Sequence, residues 1–142
     1  MISRIAFSLA LVLATGVSAA TDETTSRNVV EFRTLVKNDK GVVRCGLFTA
    51  KGWLKDPVQP ALARVNGKTA LCVFKRIPPG VYGLSAFHDE NNNGKLDTNF
   101  VGMPTEDYCA SRGARGTLGP PSFEDAKFNY TGGTKRLQAH MR

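Results

Sequence analysis

The residues best suited to chemistry in this 142-residue chain crowd into one run, His88-Asp-Glu-Asn-Asn-Asn-Gly-Lys-Leu-Asp97. With Asp89 as position 1, Asn91 stands at position 3, Asn93 at 5, Gly94 at 6, Lys95 at 7 and Asp97 at 9. That is the order of the first nine places of an EF-hand-type calcium loop. Short oxygen side chains alternate toward a hard cation, a glycine allows the sharp turn, and the seventh residue offers its carbonyl. Phe100 occupies position 12, where a bidentate Glu would close the shell. The missing carboxylate must come from elsewhere, and Glu106, Asp107 and Asp125 are the candidates. The competing reading is an Asx-rich turn in which Asn and Asp bond their own backbone and Gly94 supplies a positive φ. With only Asp89 and Asp97 certain as carboxylates, calcium affinity is expected in the range of about 10⁻⁴ to 10⁻³ M.

Charge sharpens the picture. The chain carries 19 Lys+Arg against 12 Asp+Glu, a net charge of +7. Yet Ile77 to Ser111 contains Asp89, Glu90, Asp97, Glu106 and Asp107 against the single base Lys95. An acidic island in a basic protein is a candidate cation site. The bases are scattered, with Lys75-Arg76 and Lys135-Arg136 as the longest contiguous stretches. Neither a basic run nor aromatic–basic interleaving points to nucleic acid.

The elements that must position this loop read as strands. Alternation places Val30, Phe32, Thr34 and Val36 on one face, then Val43, Cys45 and Leu47, then Ala70, Cys72 and Phe74, then Tyr82, Leu84, Ala86 and His88. Asp125 to Tyr130 and Thr134 to Met141 are read as two further strands joined as a hairpin at Gly132-Gly133. Asn38-Asp-Lys-Gly41, Val65-Asn-Gly67 and Pro78-Pro-Gly80 read as turns, and Pro60 to Arg64 as one turn of helix. The fold class is therefore all-β: an antiparallel β-sandwich of about seven strands carrying one long metal-binding loop between Asp89 and Pro121.

The first twenty residues read differently. Met1-Ile-Ser-Arg4 carries one positive charge, Ile5 to Val17 is apolar, and small residues follow at Val17-Ser-Ala-Ala20. This is the pattern of a secretory signal cleaved after Ala19 or Ala20. The apolar run is shorter than the roughly 18 to 20 residues of a membrane anchor. Residues 21–142 are then one exported domain, periplasmic or secreted, with no membrane span once the signal is removed.

Several runs occur in order: Ile77-Pro-Pro-Gly-Val-Tyr82, His88 to Phe100, Gly102-Met-Pro-Thr-Glu106, and Gly119-Pro-Pro-Ser-Phe-Glu-Asp-Ala-Lys-Phe128. Together they resemble a bacterial exported family known as a domain of unknown function. The resemblance spans nearly all of residues 21–142 and implies a sandwich similar to the transthyretin and carboxypeptidase-regulatory domains, immunoglobulin-like in layout. It implies no activity. Asn92 stands where that family's pattern has glycine, and so does Cys109 after its tyrosine.

Cys45 and Cys72 share the core face of their strands and are expected to form a disulfide, as befits an exported chain. Cys109 is left over in the acidic region, where carboxylates would raise its pKa. His88 ends a strand beside Asp89, as a ligand or as a rim residue, and His140 reads as surface. There is no Gly-x-Ser-x-Gly elbow, Cys-x-x-Cys pair or phosphate-cradling glycine loop. The sequence thus favours a non-catalytic, calcium-binding module, monomeric, with an envelope protein or glycan as partner. One alternative is a small hydrolase working around His88 and Glu106. The other is a glycan-binding surface built on Trp53, Tyr108 and Phe123.

Overall fold

Alternate residues Val30, Phe32 and Thr34 become the buried side of β1 (Val29–Leu35), and the same alternation recurs in Thr69–Lys75, with Ala70, Cys72 and Phe74 inward. The computed structural model describes residues 27–142, so the signal sequence expected at 1–20 lies outside the described residues. The strands that follow are β2 (Val42–Phe48), β3 (Gln59–Arg64), β4 (Thr69–Lys75) and β5 (Gly80–Asp89). Then come β6 (Tyr108–Ala110), a 3-10 turn at Ser111–Gly113, the one-turn helix α1 (Phe123–Ala126), β7 (Phe128–Tyr130) and β8 (Thr134–His140).

Two sheets enclose the core. The smaller has the order β4-β1-β8; the larger runs β3-β2-β5-β6, with β7 also pairing β5. Phe32 and Phe74 from the small sheet meet Val43, Leu47 and Leu84 from the large one, all with no measurable exposure. The expected bond between Cys45 and Cys72 is present and ties β2 of one sheet to β4 of the other, with a Cα–Cα separation of 6.4 Å. Among the described residues no helix is long and apolar enough to cross a membrane.

The structure departs from the sequence reading in four places. Gln59–Arg64 is a strand, because its whole length finds a partner in β2 (Leu47↔Gln59 to Val42↔Arg64) and a single turn of helix would forgo those bonds. Asp125 and Ala126 belong to α1, not to a strand. The Ser122 hydroxyl accepts the Asp125 N–H at 3.1 Å, and this N-cap starts a helical turn where alternation alone suggested extension. Gly132-Gly133 is not a hairpin. β7 pairs with β5 in one sheet and β8 runs parallel to β1 in the other, so the two glycines, at φ +106° and +73°, carry the chain between sheets. Finally, the long segment after β5 is less irregular than its composition suggests, since it contains β6 and the 3-10 turn, and the strand count reaches eight.

Ser111 explains how so short a β6 is held. β6 covers Ser85–Phe87 of β5 and β7 covers Gly80–Tyr82, which leaves Gly83 and Leu84 between them. The buried Ser111 hydroxyl, just after β6, takes the Leu84 N–H of β5 at 2.9 Å and donates to the Ala126 carbonyl of α1 at 2.5 Å, tying the end of β6 to β5 and to the helical turn that leads into β7.

Candidate metal loop

β5 delivers Asp89 to the base of the acidic loop, and β2 lies alongside with Val42 opposite Asp89. Arg44 and Asp89 therefore share the outer face of the large sheet. Arg44 Nε donates to Asp89 Oδ2 at 2.6 Å and Arg44 Nη2 to the Asn92 side chain at 3.3 Å. The loop folds back over this pair, so Asp89 has no exposure although it points away from the core. The approach is close: a Cβ on Gly41, itself at φ +60°, would lie 2.0 Å from the Asp89 carbonyl oxygen. Burial alone would raise the Asp89 pKa. The Arg44 hydrogen bond, the Gly94 and Asn93 amides and the Arg44 charge together outweigh it and hold the carboxyl below its ordinary value.

From that anchor the loop closes on itself. Asp89 accepts the N–H of Asn93 and of Gly94, each at 2.9 Å, which brings positions 5 and 6 back onto position 1. Asp97 accepts the side-chain amides of Asn91 at 2.6 Å and of Asn93 at 2.7 Å. Lys95 enters through its backbone N–H, which bonds the Asn93 side chain at 3.0 Å. Asn92 and Gly94 both take left-handed conformations, at φ 55° and 87°; Asn is among the few side-chain-bearing residues that do so readily. So Asp89, Asn91, Asn93 and Asp97 are brought together as their spacing requires.

Of the three candidate carboxylates, one reaches the loop. Glu106 accepts the Glu90 N–H with Oε1 and the Asp97 N–H with Oε2, both at 3.1 Å, and so clamps the two arms at their base. Asp107 pairs with Lys37 at 2.8 Å and Asp125 bonds Ser122 at 2.6 Å. Among the described residues no three His, Cys, Asp or Glu side chains converge on a common point. The side chains that meet in the loop are carboxylates and Asn amides whose oxygens accept N–H groups of the loop itself; oxygens of this kind suit a hard cation and not the nitrogen–sulfur chemistry of zinc.

Other expected residues fall in structural roles. His88 is wholly buried, not on the rim, with Nε2 2.6 Å from the Lys40 carbonyl and Nδ1 3.9 Å from a Glu90 carboxylate oxygen. His140 is exposed. Trp53 donates its indole N–H to the Pro121 carbonyl at 2.8 Å and sits edge-on between Phe48 and Phe123, pinning the diproline segment. Cys109 is a buried free thiol on β6, pushed up to about 12 by burial and not by the carboxylates its sequence neighbourhood suggested. It is expected to resist alkylation at pH 8 in the folded protein and to react only once denaturant is added, which quantitative mass spectrometry reads directly.

Sequence reasoning missed Arg44, whose only signal was an outward-facing base on a strand of unknown register. It also missed the turn at Asn99. The Asn99 side chain accepts the N–H groups of Val101 and Met103, each at 3.0 Å, and its backbone brackets Met103 and Gly102.

The chain belongs to a family described as uncharacterized proteins conserved in bacteria (DUF2141), which it matches over residues 34–138, from β1 through the acidic loop to β8. No curated protein and no solved structure matches it.

Proposed function

We propose that this member of the family is a non-catalytic calcium-binding β-sandwich protein of the cell envelope, in which one ion braces the acidic loop against the large sheet. The observation that carries the reading is the closure of positions 1, 3, 5 and 9 into one hydrogen-bonded ring around Asp89 and Asp97, with Glu106 at its base. Such a ring gathers oxygen donors before a cation arrives, so little chain entropy remains to be lost on binding. Asn91 and Asn93 direct amide nitrogens at Asp97, and a half-turn of each side chain would offer oxygens instead, giving up the bonds those oxygens now accept from the Asn93 and Lys95 N–H groups. The leader-like first twenty residues and the disulfide support an extracytoplasmic setting, where free calcium is high enough for a weak site. The residues of the hydrolase alternative hold structural bonds: the Glu106 carboxylate is taken by two amides and the His88 Nε2 by the Lys40 carbonyl.

The test is a thermal melt of oxidised residues 21–142 in chelator and in calcium from about 10 μM to 10 mM, bracketing the weak range expected for such modules. A site with Kd near 10⁻⁴ M gains about 2.7 kcal/mol at a hundredfold excess, a rise of several degrees in midpoint. Magnesium, which demands a tighter octahedron, should give a much smaller shift. A midpoint indifferent to calcium would reduce the loop to a self-bonded Asx turn.

A further inference from the structure

Beyond the ring, the same loop continues into a narrow projection. Thr98 and Pro104 face each other in an antiparallel bridge, and the Thr105 N–H bonds the Asp97 carbonyl at 2.8 Å. The Asn99 turn closes the end, with the Asn99 N–H on the Met103 carbonyl at 2.8 Å. On this turn Phe100 is as exposed as in an extended chain, and Val101 and Met103 are 65% and 59% exposed. Three large apolar side chains held outward by a hydrogen-bonded turn cannot be accounted for by the core. An exposed apolar group of this kind is a candidate contact surface.

We propose that this tip inserts into the surface of an anionic lipid bilayer, and that calcium held in the adjoining loop permits the approach. Three observations select a bilayer. The tip offers roughly 400 Å² of apolar surface. That is about half of what each partner contributes to an ordinary stable protein interface, which argues against a second copy of the chain. The Val101, Gly102 and Met103 amides are satisfied within the turn, so entering an apolar layer leaves these donors paired. Charge supplies the third. The chain as a whole is basic, which favours an anionic surface, whereas Glu90, Asp97 and Glu106 lie at the foot of the tip and oppose one, Asp89 and Asp107 being already paired with Arg44 and Lys37. A divalent cation held there removes the local opposition and can share its remaining ligand positions with lipid phosphates. The calcium dependence rests on the function proposed above; the apolar tip does not.

Vesicle co-sedimentation tests both parts. Phosphatidylglycerol/phosphatidylethanolamine vesicles and purely zwitterionic vesicles are each mixed with the protein, with calcium or with chelator. Thermal melts with and without calcium are run on the same proteins without lipid. Wild type is expected to sediment with anionic vesicles in calcium and to remain in the supernatant in chelator. Phe100→Asp with Val101→Asp should reduce the bound fraction at least tenfold while keeping the calcium-induced rise in midpoint, because both side chains lie outside the core. Wild type that gains midpoint in calcium yet ignores vesicles overturns the lipid inference and leaves the calcium reading standing. So does sedimentation that survives the double substitution, or a dimer in gel filtration that the substitution dissociates. Tip-dependent sedimentation that is indifferent to chelator, with no calcium response in the melt, retains the lipid contact and sinks the calcium reading.

Discussion

Asp89→Ala should lower the stability of the folded domain by about 2 to 3 kcal/mol, seen as a midpoint roughly 10 °C lower in a thermal melt at neutral pH. The reasoning starts from its three hydrogen bonds: one charge-assisted to Arg44 and two to the loop amides of Asn93 and Gly94. Breaking a fully buried ion pair costs about 3 to 5 kcal/mol, because the surviving charge is stranded. Here the Arg44 side chain keeps 31% exposure and can turn to water, so the loss falls at or just below the bottom of that range. The effect also has a pH signature. Because the folded state holds the Asp89 pKa below its ordinary 3.8, its contribution is complete above that value and fades as pH falls through the lower folded pKa. The gap between wild type and Asp89→Ala should therefore be constant from pH 5 to 7 and close progressively below about pH 3.8. A gap that is as wide at pH 2.5 as at pH 7 would show that the loss is one of packing and not of the ionised pair.

A comparable or larger effect is expected from Cys45→Ala with Cys72→Ala. The bond spans a sequence separation of 27 residues. Chain-entropy arguments assign such a loop about 3.5 kcal/mol at 25 °C, acting mostly by restricting the unfolded chain. The two cysteines are also nearly inaccessible core residues, so the alanines leave a small void that adds to the loss. Comparing oxidised with reduced wild type isolates the covalent constraint, and the double variant adds the void. Equal midpoints for oxidised and reduced protein would mean that the sandwich is held by packing alone. The two predicted losses should be nearly additive, since one acts inside the core and the other on the outer face of the large sheet.

Period-two alternation determined the greater part of the fold on its own. β1, β2, β4 and β5, their inward faces and the pairing of Cys45 with Cys72 are all readable from it, because a strand buried on one side repeats every second residue. That Asp89, Asn91, Asn93 and Asp97 come together was equally legible, since they are close in sequence and the hydrogen-bonded ring they form is local. The features that the sequence left open were set by distant partners. Alternation around Gly132-Gly133 suggests a hairpin, yet β7 and β8 go to different sheets because β1 and β5 each had an open side to fill. Three properties of the site were likewise decided only in three dimensions. Arg44 reaches Asp89 through the β2–β5 register, 45 residues away in sequence. Glu106 is chosen over Asp107 and Asp125 by the return of the chain into β6. Phe100, Val101 and Met103 are left in solvent because the Asn99 turn closes on itself before they can reach the core. Local spacing encodes local geometry. Register and burial depend on which strands meet, and a single sequence carries that information only through the energy of the assembled sheets.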